Sequence, residues 1–179
     1  HKNGISLPKK NKLSKQLRDQ LKFQLTGDQE TTIEEISNDQ ENSSKMLRLL
    51  QGDVGSGKTI VALFAMMQCI ENNKRSVLMA PTEILAEQHF NTIKEFISDL
   101  NLTCSLITSS NKNNHNFEAD IIIGTHALFQ QKVTFENIGL VVIDEQHKFG
   151  VHQRILLNEK AGNSCDILLM TATPIPRTM

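Results

Sequence analysis

The chain contains no tryptophan and no tyrosine, and it has only three cysteines among its 179 residues. Without those two rings, a contact with nucleic acid cannot depend on stacking against Trp or Tyr. Cys69, Cys104 and Cys165 lie in apolar segments without metal-type spacing, so we expect buried, reduced thiols. The sequence also lacks a signal peptide and any run of about 18 apolar residues. These absences predict a cytoplasmic protein that is not associated with a membrane.

An excess of charge of either sign is missing as well. Lys and Arg together number 19, Asp and Glu together number 20, and the net charge is −1. This balance provides no bulk electrostatic attraction to nucleic acid. The charge is nevertheless uneven, because residues 1–22 carry seven Lys or Arg against the single Asp19. Two interpretations of this basic leading segment stay open: a solvated linker, or a contact with nucleic acid.

The length of the chain predicts one domain with a core large enough to fold alone. The first residue, His1, is not an initiator methionine, and the last, Met179, closes no recognisable element. We therefore expect a piece of a longer protein, with residues 1–22 leading into a domain at residues 23–179.

Apolar strands alternate with helical stretches along that domain, which predicts a three-layer α/β fold with a mainly parallel sheet. Thr26 is predicted to cap a helix that ends at Ile36, before a polar loop at residues 39–45. A helix at residues 60–70 is apolar nearly all round, and Thr82 caps an amphipathic helix that extends to about Leu100. The predicted strands are residues 46–50, 76–80, 102–107, 120–123, 140–143 and 167–170.

Residues 52–59 read Gly-Asp-Val-Gly-Ser-Gly-Lys-Thr, the G-x-x-x-x-G-K-[ST] pattern of a phosphate-binding P-loop. Glycines allow a tight turn that points successive N–H groups at phosphate oxygens. The pattern predicts that Lys58 contacts the β- and γ-phosphates of ATP or GTP and that Thr59 ligates Mg²⁺. The alternative is a glycine-rich turn without a ligand. The other predicted phosphate contacts are Gly52, Gly55, Ser56 and Gly57.

A second element of the site follows the predicted strand at residues 140–143. Asp144 would hold Mg²⁺, directly or through water, and Glu145 would orient or deprotonate an attacking water. An acid pair after a strand is by itself typical of a surface turn, so this interpretation depends on the P-loop that precedes it. His147, three residues past Asp144, is expected to lie within reach of the γ-phosphate region. Thr171 and Thr173 end the last strand and either report the phosphate state through His147 or simply cap the strand.

These residues resemble the superfamily 2 helicases, whose Asp-Glu-x-His box and Ser/Thr-Ala-Thr motif match residues 144–147 and 171–173. The likeness is closest to the RecG-type DNA helicases, because residues 51–59, 80–89, 123–128, 144–151 and 171–178 follow their pattern. It extends from about Phe23 to Met179. It implies a RecA-like P-loop NTPase lobe that uses ATP and Mg²⁺ and acts on branched or single-stranded DNA in the bacterial cytosol or nucleoid.

The resemblance also implies roles for further residues. Phe23, Leu25, Thr26 and Gln29 are similar to an upstream element that recognises adenine, with Gln29 bonding to the base edge. Thr171 and Thr173 would couple the nucleotide state to DNA. Pro81 with Thr82, and Thr125 with His126, would contact the DNA backbone at two strand ends. Taken alone, Thr125 with His126 would more often be a helix cap. The implied DNA contacts are Pro81, Thr82, Thr125, His126 and Arg177.

The sequence departs from this pattern in a few places. The loop at residues 109–118 is shorter than usual in the family, Lys148 stands where Arg is common, and His152 where Glu is common. A second motor lobe with its arginine finger, and a wedge domain that grips the junction, are not encoded in these residues. We therefore expect weak binding of Mg·ATP and little hydrolysis from this lobe alone.

Two other classes of function remain as alternatives. A small-molecule kinase would need an acceptor pocket and a lid, and no Arg-rich lid segment occurs in the sequence. A non-catalytic remnant or binding module would fit a piece of a longer protein.

Overall fold

The computed structural model describes residues 4–52, 56–109, 118–125, 136–145 and 165–172. These residues form a sheet of six strands with helices packed on it. The helices are α1 (Lys12–Gln20), α2 (Gly27–Glu41), α3 (Ser56–Glu71) and α4 (Glu83–Phe96). The strands are β1 (Leu47–Gly52), β2 (Arg75–Met79), β3 (Cys104–Ile107), β4 (Ile121–Gly124), β5 (Ile138–Glu145) and β6 (Asp166–Ala172).

The strands lie in the order β1-β6-β5-β2-β4-β3, and the five pairings between neighbours are all parallel. The strands are rich in Ile, Val and Leu, and side chains on both faces of the sheet belong to buried apolar clusters. This burial on both faces is why the strands lack alternation of polar and apolar residues. The predicted α/β class and the mainly parallel sheet are confirmed.

Helix α3, which begins at the end of the P-loop, lies at the centre of the described structure. Every residue from 59 to 69 is buried. The helix contacts α1 and α2 on one side and β1, β2 and β5 on the other. Because other elements cover it on both sides, it needs apolar residues all round. The prediction of a buried helix at residues 60–70 is confirmed.

A capping box begins helix α2. The Thr26 hydroxyl accepts a hydrogen bond of 3.1 Å from the Gln29 backbone N–H, and the Gln29 side-chain oxygen accepts one of 2.9 Å from the Thr26 backbone N–H. Two N–H groups that lack partners within the helix are thereby satisfied. The predicted cap is confirmed.

The predicted end of that helix at Ile36 is wrong, because α2 continues to residue 41. Its polar last turn is held by tertiary contacts. Gln40 is fully buried and donates a hydrogen bond of 2.9 Å to the carbonyl oxygen of Ala65 on α3. Asp39 forms an ion pair of 2.8 Å with Arg48 on β1. The predicted polar loop at residues 39–45 is accordingly shorter.

The basic leading segment packs on the domain and does not fit the interpretation as a solvated linker. Leu7 and Leu17 are fully buried in the same core as α3. Lys9 pairs with Glu34 at 3.0 Å, and both oxygens of Glu30 on α2 accept from Arg18, at 2.6 and 2.7 Å. Lys9 and Arg18 are therefore paired with acidic residues of the same chain. The division of the chain at residue 22 stays a prediction.

The three cysteines are free thiols. Cys69 and Cys165 are buried as expected, whereas Cys104 is only partly buried. Burial raises the pKa of Cys69 and of Cys104 to about 12, and that of Cys165 to about 11. These thiols are protonated and poorly nucleophilic near neutral pH. In the described ranges, no helix has the length and apolar character needed to cross a bilayer.

Candidate functional site

The carboxyl ends of β1, β6 and β5 lie side by side at one edge of the sheet. Thr171 on β6 is in register with Gln51 on β1, at the start of the P-loop, and with Glu145 on β5. Asp144 is in register with Met170. Ligands of open α/β sheets bind at this edge. The fold thus brings the P-loop strand, the acid pair and the first threonine of the Thr-Ala-Thr motif together.

Lys58 joins two of these segments directly. Its amine donates a hydrogen bond of 2.9 Å to the carbonyl oxygen of Thr171. The lysine lies in the first turn of α3, together with Gly57 and Thr59. Free N–H groups and the helix dipole at such a start favour an anion. Of the predicted phosphate contacts, Ser56, Gly57 and Lys58 therefore lie where the backbone itself attracts negative charge.

The two predicted Mg²⁺ ligands are both buried. Thr59 is 5% exposed and Asp144 is 4% exposed. The Oδ2 oxygen of Asp144 lies 2.7 Å from Nε2 of His89 on α4. Its Oδ1 oxygen has no hydrogen-bond partner among the described residues. A buried carboxylate with one open oxygen is suited to a cation or to a water molecule that a cation holds.

The residues present fit a magnesium-bound triphosphate. Within the described ranges, no group of three or more His, Cys, Asp and Glu could hold a metal by itself. Magnesium is commonly bound by one or two carboxylates together with substrate phosphates, and such a site needs no larger cluster. The Thr171 hydroxyl is buried without a hydrogen-bond partner among the described residues. Such an orphaned polar atom at the same edge is consistent with a polar ligand.

Gln29 links the start of α2 to the P-loop helix. In addition to its part in the capping box, its side-chain nitrogen lies 3.4 Å from the carbonyl oxygen of Gly57 and donates to it. Phe23 is 48% exposed and meets Phe96 edge-on, with 6.3 Å between ring centroids. An open cavity of about 520 Å³ lies beside this ring. It is lined by Arg18, Leu21, Lys22, Phe23, Gln24, Leu25 and Glu30.

Three of the predicted DNA contacts lie in the described residues. Thr82 caps α4 through a hydrogen bond of 3.2 Å from the Leu85 backbone N–H, so the predicted cap is confirmed. The helix ends at Phe96, four residues before the predicted end. Pro81 is partly exposed beside the cap, and Thr125 is buried directly after β4. Their roles toward DNA stay predictions.

Several predicted site residues lie outside the described residues, and so do both departures from the helicase pattern at 148 and 152. The site residues concerned are Gly55, His126, His147, Thr173 and Arg177. For Ser56 and Glu145 the structure describes the backbone and not the side chain, and Gly52 is the last residue of β1.

His89 is a site residue for which the sequence motifs predicted no role. Its side chain is 13% exposed. Ala86 and Ile93, three residues before it and four after it, are fully buried. Residues at this spacing share one face of a helix, so His89 lies on the buried stripe of α4. A polar residue on an otherwise apolar stripe was the signal that could have revealed it.

The chain belongs to the DEAD/DEAH box helicase family, whose profile matches residues 26–179. It is 49% identical over 168 residues to the ATP-dependent DNA helicase RecG of Streptococcus pneumoniae, which covers 89% of this chain. It is 46% identical over 176 residues to RecG of a Synechocystis species, which covers 93%. A solved structure of RecG bound to a three-way DNA junction matches 98% of the chain with a TM-score of 0.81 and 40% identity. The resemblance to RecG-type helicases is therefore confirmed.

The chain covers only part of these proteins. It spans 25% of the Streptococcus protein, 21% of the Synechocystis protein and 24% of the chain in the junction complex. The matching part is the first motor lobe of a RecG helicase.

Proposed function

We propose that this chain is the ATP-binding lobe of an ATP-dependent DNA helicase that remodels branched DNA, such as replication forks and Holliday junctions, in recombination and repair. The observation that carries the proposal is the shared edge of β1, β5 and β6. The P-loop begins there, the carboxylate of Asp144 is buried there, and Thr171 lies between them in register. The similarity to RecG supplies the class of substrate.

In this proposal the P-loop helix and its neighbours bind the nucleotide. Lys58 contacts the β- and γ-phosphates, and the Thr59 hydroxyl and the Asp144 carboxylate hold the cation. Magnesium, when bound, neutralises charge on the phosphate oxygens. Glu145 orients or deprotonates the attacking water, and His147 lies toward the γ-phosphate. Gln29 recognises the edge of adenine, and the cavity beside Phe23 has the size of a small-molecule pocket.

DNA lies along the neighbouring strand ends in this proposal. Pro81 and Thr82 at the start of α4, and Thr125 with His126 after β4, contact phosphates of the backbone. Neutral side chains and backbone N–H groups can bind phosphate without reading base sequence. Arg177 provides a further contact, and Thr171 and Thr173 couple the nucleotide state to DNA.

A second lobe and a wedge domain complete the proposed machine. An arginine supplied by a partner lobe stabilises charge in the transition state and is worth about 10³–10⁵ in rate in GTPase systems. We therefore propose that the 179 residues bind Mg·ATP weakly and hydrolyse it slowly. We also propose a location in the bacterial cytosol or nucleoid.

Calorimetric titration of the chain with Mg·ATP and Mg·ADP, beside the Lys58→Ala variant, tests the nucleotide site. We expect measurable binding that the substitution weakens. Absence of binding by a folded sample would contradict the assignment. DNA-stimulated turnover within about tenfold of the rate of a complete RecG helicase would contradict the proposed dependence on a second lobe. Phosphoryl transfer to a small acceptor would instead support a kinase.

A further inference from the structure

The contact between His89 and Asp144 connects a helix to the end of β5. The strands β2 and β5 are neighbours, with Met79 in register with Ile143. Helix α4 begins shortly after β2, so a side chain two turns along it can reach the residue that follows Ile143. The nitrogen and oxygen atoms are 2.7 Å apart, a normal length for a charge-assisted hydrogen bond.

The direction of this hydrogen bond follows from the chemistry of the two groups. An ionised carboxylate has no hydrogen to donate, so Nε2 of His89 must carry the hydrogen that Oδ2 of Asp144 accepts. This interaction fixes the rotation of the carboxylate group. It occupies one oxygen and leaves Oδ1 without a partner among the described residues. A carboxylate held in this way presents a single, defined oxygen.

The histidine itself is held by a rigid support. Helix α4 packs on β3 and β4. Ala86 and Ile93 anchor it in the main apolar core on either side of His89 along the same stripe. The Thr82 cap fixes the start of the helix. The ring of His89 is itself largely buried, so water competes little for the carboxylate.

We propose that His89 is a positioning residue that holds the Asp144 carboxylate in the orientation that receives the nucleotide-bound Mg²⁺. This inference rests on the proposed function, because it assumes that Asp144 is a ligand of that cation or of its water. His89 does not touch the nucleotide. Because His89 already restricts the rotation of the Asp144 carboxylate, binding of the cation costs less conformational entropy. Loss of such a supporting partner commonly lowers metal affinity by about 10- to 100-fold.

The affinity for ATP, measured by calorimetry with EDTA and again with Mg²⁺, separates this role from a general structural one. The ratio of the two dissociation constants is the gain in affinity that the cation provides. We expect His89→Leu to reduce this gain by about 10- to 100-fold and to leave the affinity in EDTA within about twofold. His89→Gln retains an amide N–H near the position of Nε2 and should recover most of the gain. Gln88→Leu, at an exposed neighbouring position of α4, is the matched control.

The outcomes distinguish this inference from the function on which it depends. If the unsubstituted chain shows no gain from Mg²⁺, both are overturned. If the gain is present and His89→Leu retains it, only the role of His89 is overturned. An equal loss of affinity with and without Mg²⁺ in His89→Leu would also overturn it, because that pattern indicates a general disturbance of the fold. Urea unfolding of His89→Leu, His89→Gln and Gln88→Leu identifies such a disturbance independently.

Discussion

The amine of Lys58 and the carbonyl oxygen of Thr171 are joined by a hydrogen bond of 2.9 Å, which ties the P-loop helix to the end of β6. The same amine is the group expected to contact the β- and γ-phosphates. A bound nucleotide must therefore compete with the Thr171 carbonyl for it, or share it. In the proposed function, the end of β6 therefore responds when phosphate binds.

Replacing Lys58 with alanine should weaken binding of Mg·ATP by at least about tenfold, because a point charge at the phosphates is lost. Lys10→Ala is the matched control. Its amine also donates to a main-chain carbonyl, that of Glu71 at the opposite end of α3, at 3.2 Å. Calorimetry should show an affinity for Lys10→Ala equal to that of the unsubstituted chain. Equal binding by Lys58→Ala would remove the lysine from the nucleotide site.

Thr26 and Gln29 share one capping box, yet only Gln29 is predicted to bond to the edge of the adenine base. Thr26→Ala should lower the free energy of unfolding by about 1 kcal/mol, because the helix loses its cap. Gln29→Glu keeps an oxygen for the Thr26 backbone N–H but loses the amide that donates to the Gly57 carbonyl oxygen, so it should lower the free energy of unfolding by about 0.5–1.5 kcal/mol. Because this variant lacks the amide donor, the ratio of its affinities for ATP and GTP should fall by about 3- to 10-fold. Urea unfolding and titrations with both nucleotides measure these effects. Unchanged selectivity would count against base recognition by Gln29.

Leu17→Ala tests whether the leading segment is part of the folded domain. The side chain is fully buried, so its truncation should cost about 2–5 kcal/mol in the free energy of unfolding. Lys15→Ala changes an exposed residue of the same helix and should cost no more than about 0.5 kcal/mol. Equal stabilities of the two variants in urea would mean that α1 is not docked in solution.

Asp166 should make the domain less stable as the pH rises. It is buried at the start of β6, where one oxygen accepts a 2.9 Å hydrogen bond from the Met46 backbone N–H and the other has no partner among the described residues. Burial raises the pKa of its carboxyl group to about 7, from an ordinary value near 4. Between about pH 4 and pH 7 the unfolded chain releases this proton while the folded chain retains it. The free energy of unfolding therefore falls across that window.

Asp166→Asn removes this titration and keeps an oxygen for the Met46 N–H. Relative to that of the unsubstituted chain, the free energy of unfolding of the variant should rise by about 2–4 kcal/mol between pH 4 and pH 8. Each pKa unit corresponds to about 1.4 kcal/mol. Asp120→Asn is the comparison, since this carboxylate also accepts from a backbone N–H, that of Thr103. Urea unfolding at several pH values measures the gain. A stability difference that does not change with pH would contradict the raised pKa.

The parts of the fold that follow from local pattern were predictable. Apolar runs predicted the six described strands, and the capping residues Thr26 and Thr82 predicted where two helices begin. The end of α2 was not predictable from polarity, because Gln40 is polar and yet fully buried against α3. The docking of α1 was missed for a similar reason. The charged residues of α1 suggested a solvent-exposed segment, whereas Arg18 forms an ion pair with Glu30, twelve residues along the chain.

In the candidate site, too, residues within local motifs were predictable and long-range contacts were not. Motif spacing identified Lys58 and Asp144 as candidates, because the P-loop and acid-pair patterns are defined by adjacent residues. The contact between His89 and Asp144 joins residues 55 positions apart in sequence. It depends on β2 and β5 being neighbours in the sheet, which no spacing along the chain encodes. Long-range contacts of this kind become visible only when the strand order is known.

The position of β1 also has a consequence for biosynthesis. Among the described strands, its only neighbour is β6, and Leu47 pairs with Ile167. At about 5–20 residues per second, roughly 6–24 s pass on the ribosome between synthesis of these two residues. Until then the P-loop has no completed strand pair beside it, and Lys58 has no Thr171 carbonyl to contact. In the proposed function, stabilisation by ATP at this edge of the sheet therefore requires β6 to have been synthesised, and the chain up to that point folds without it.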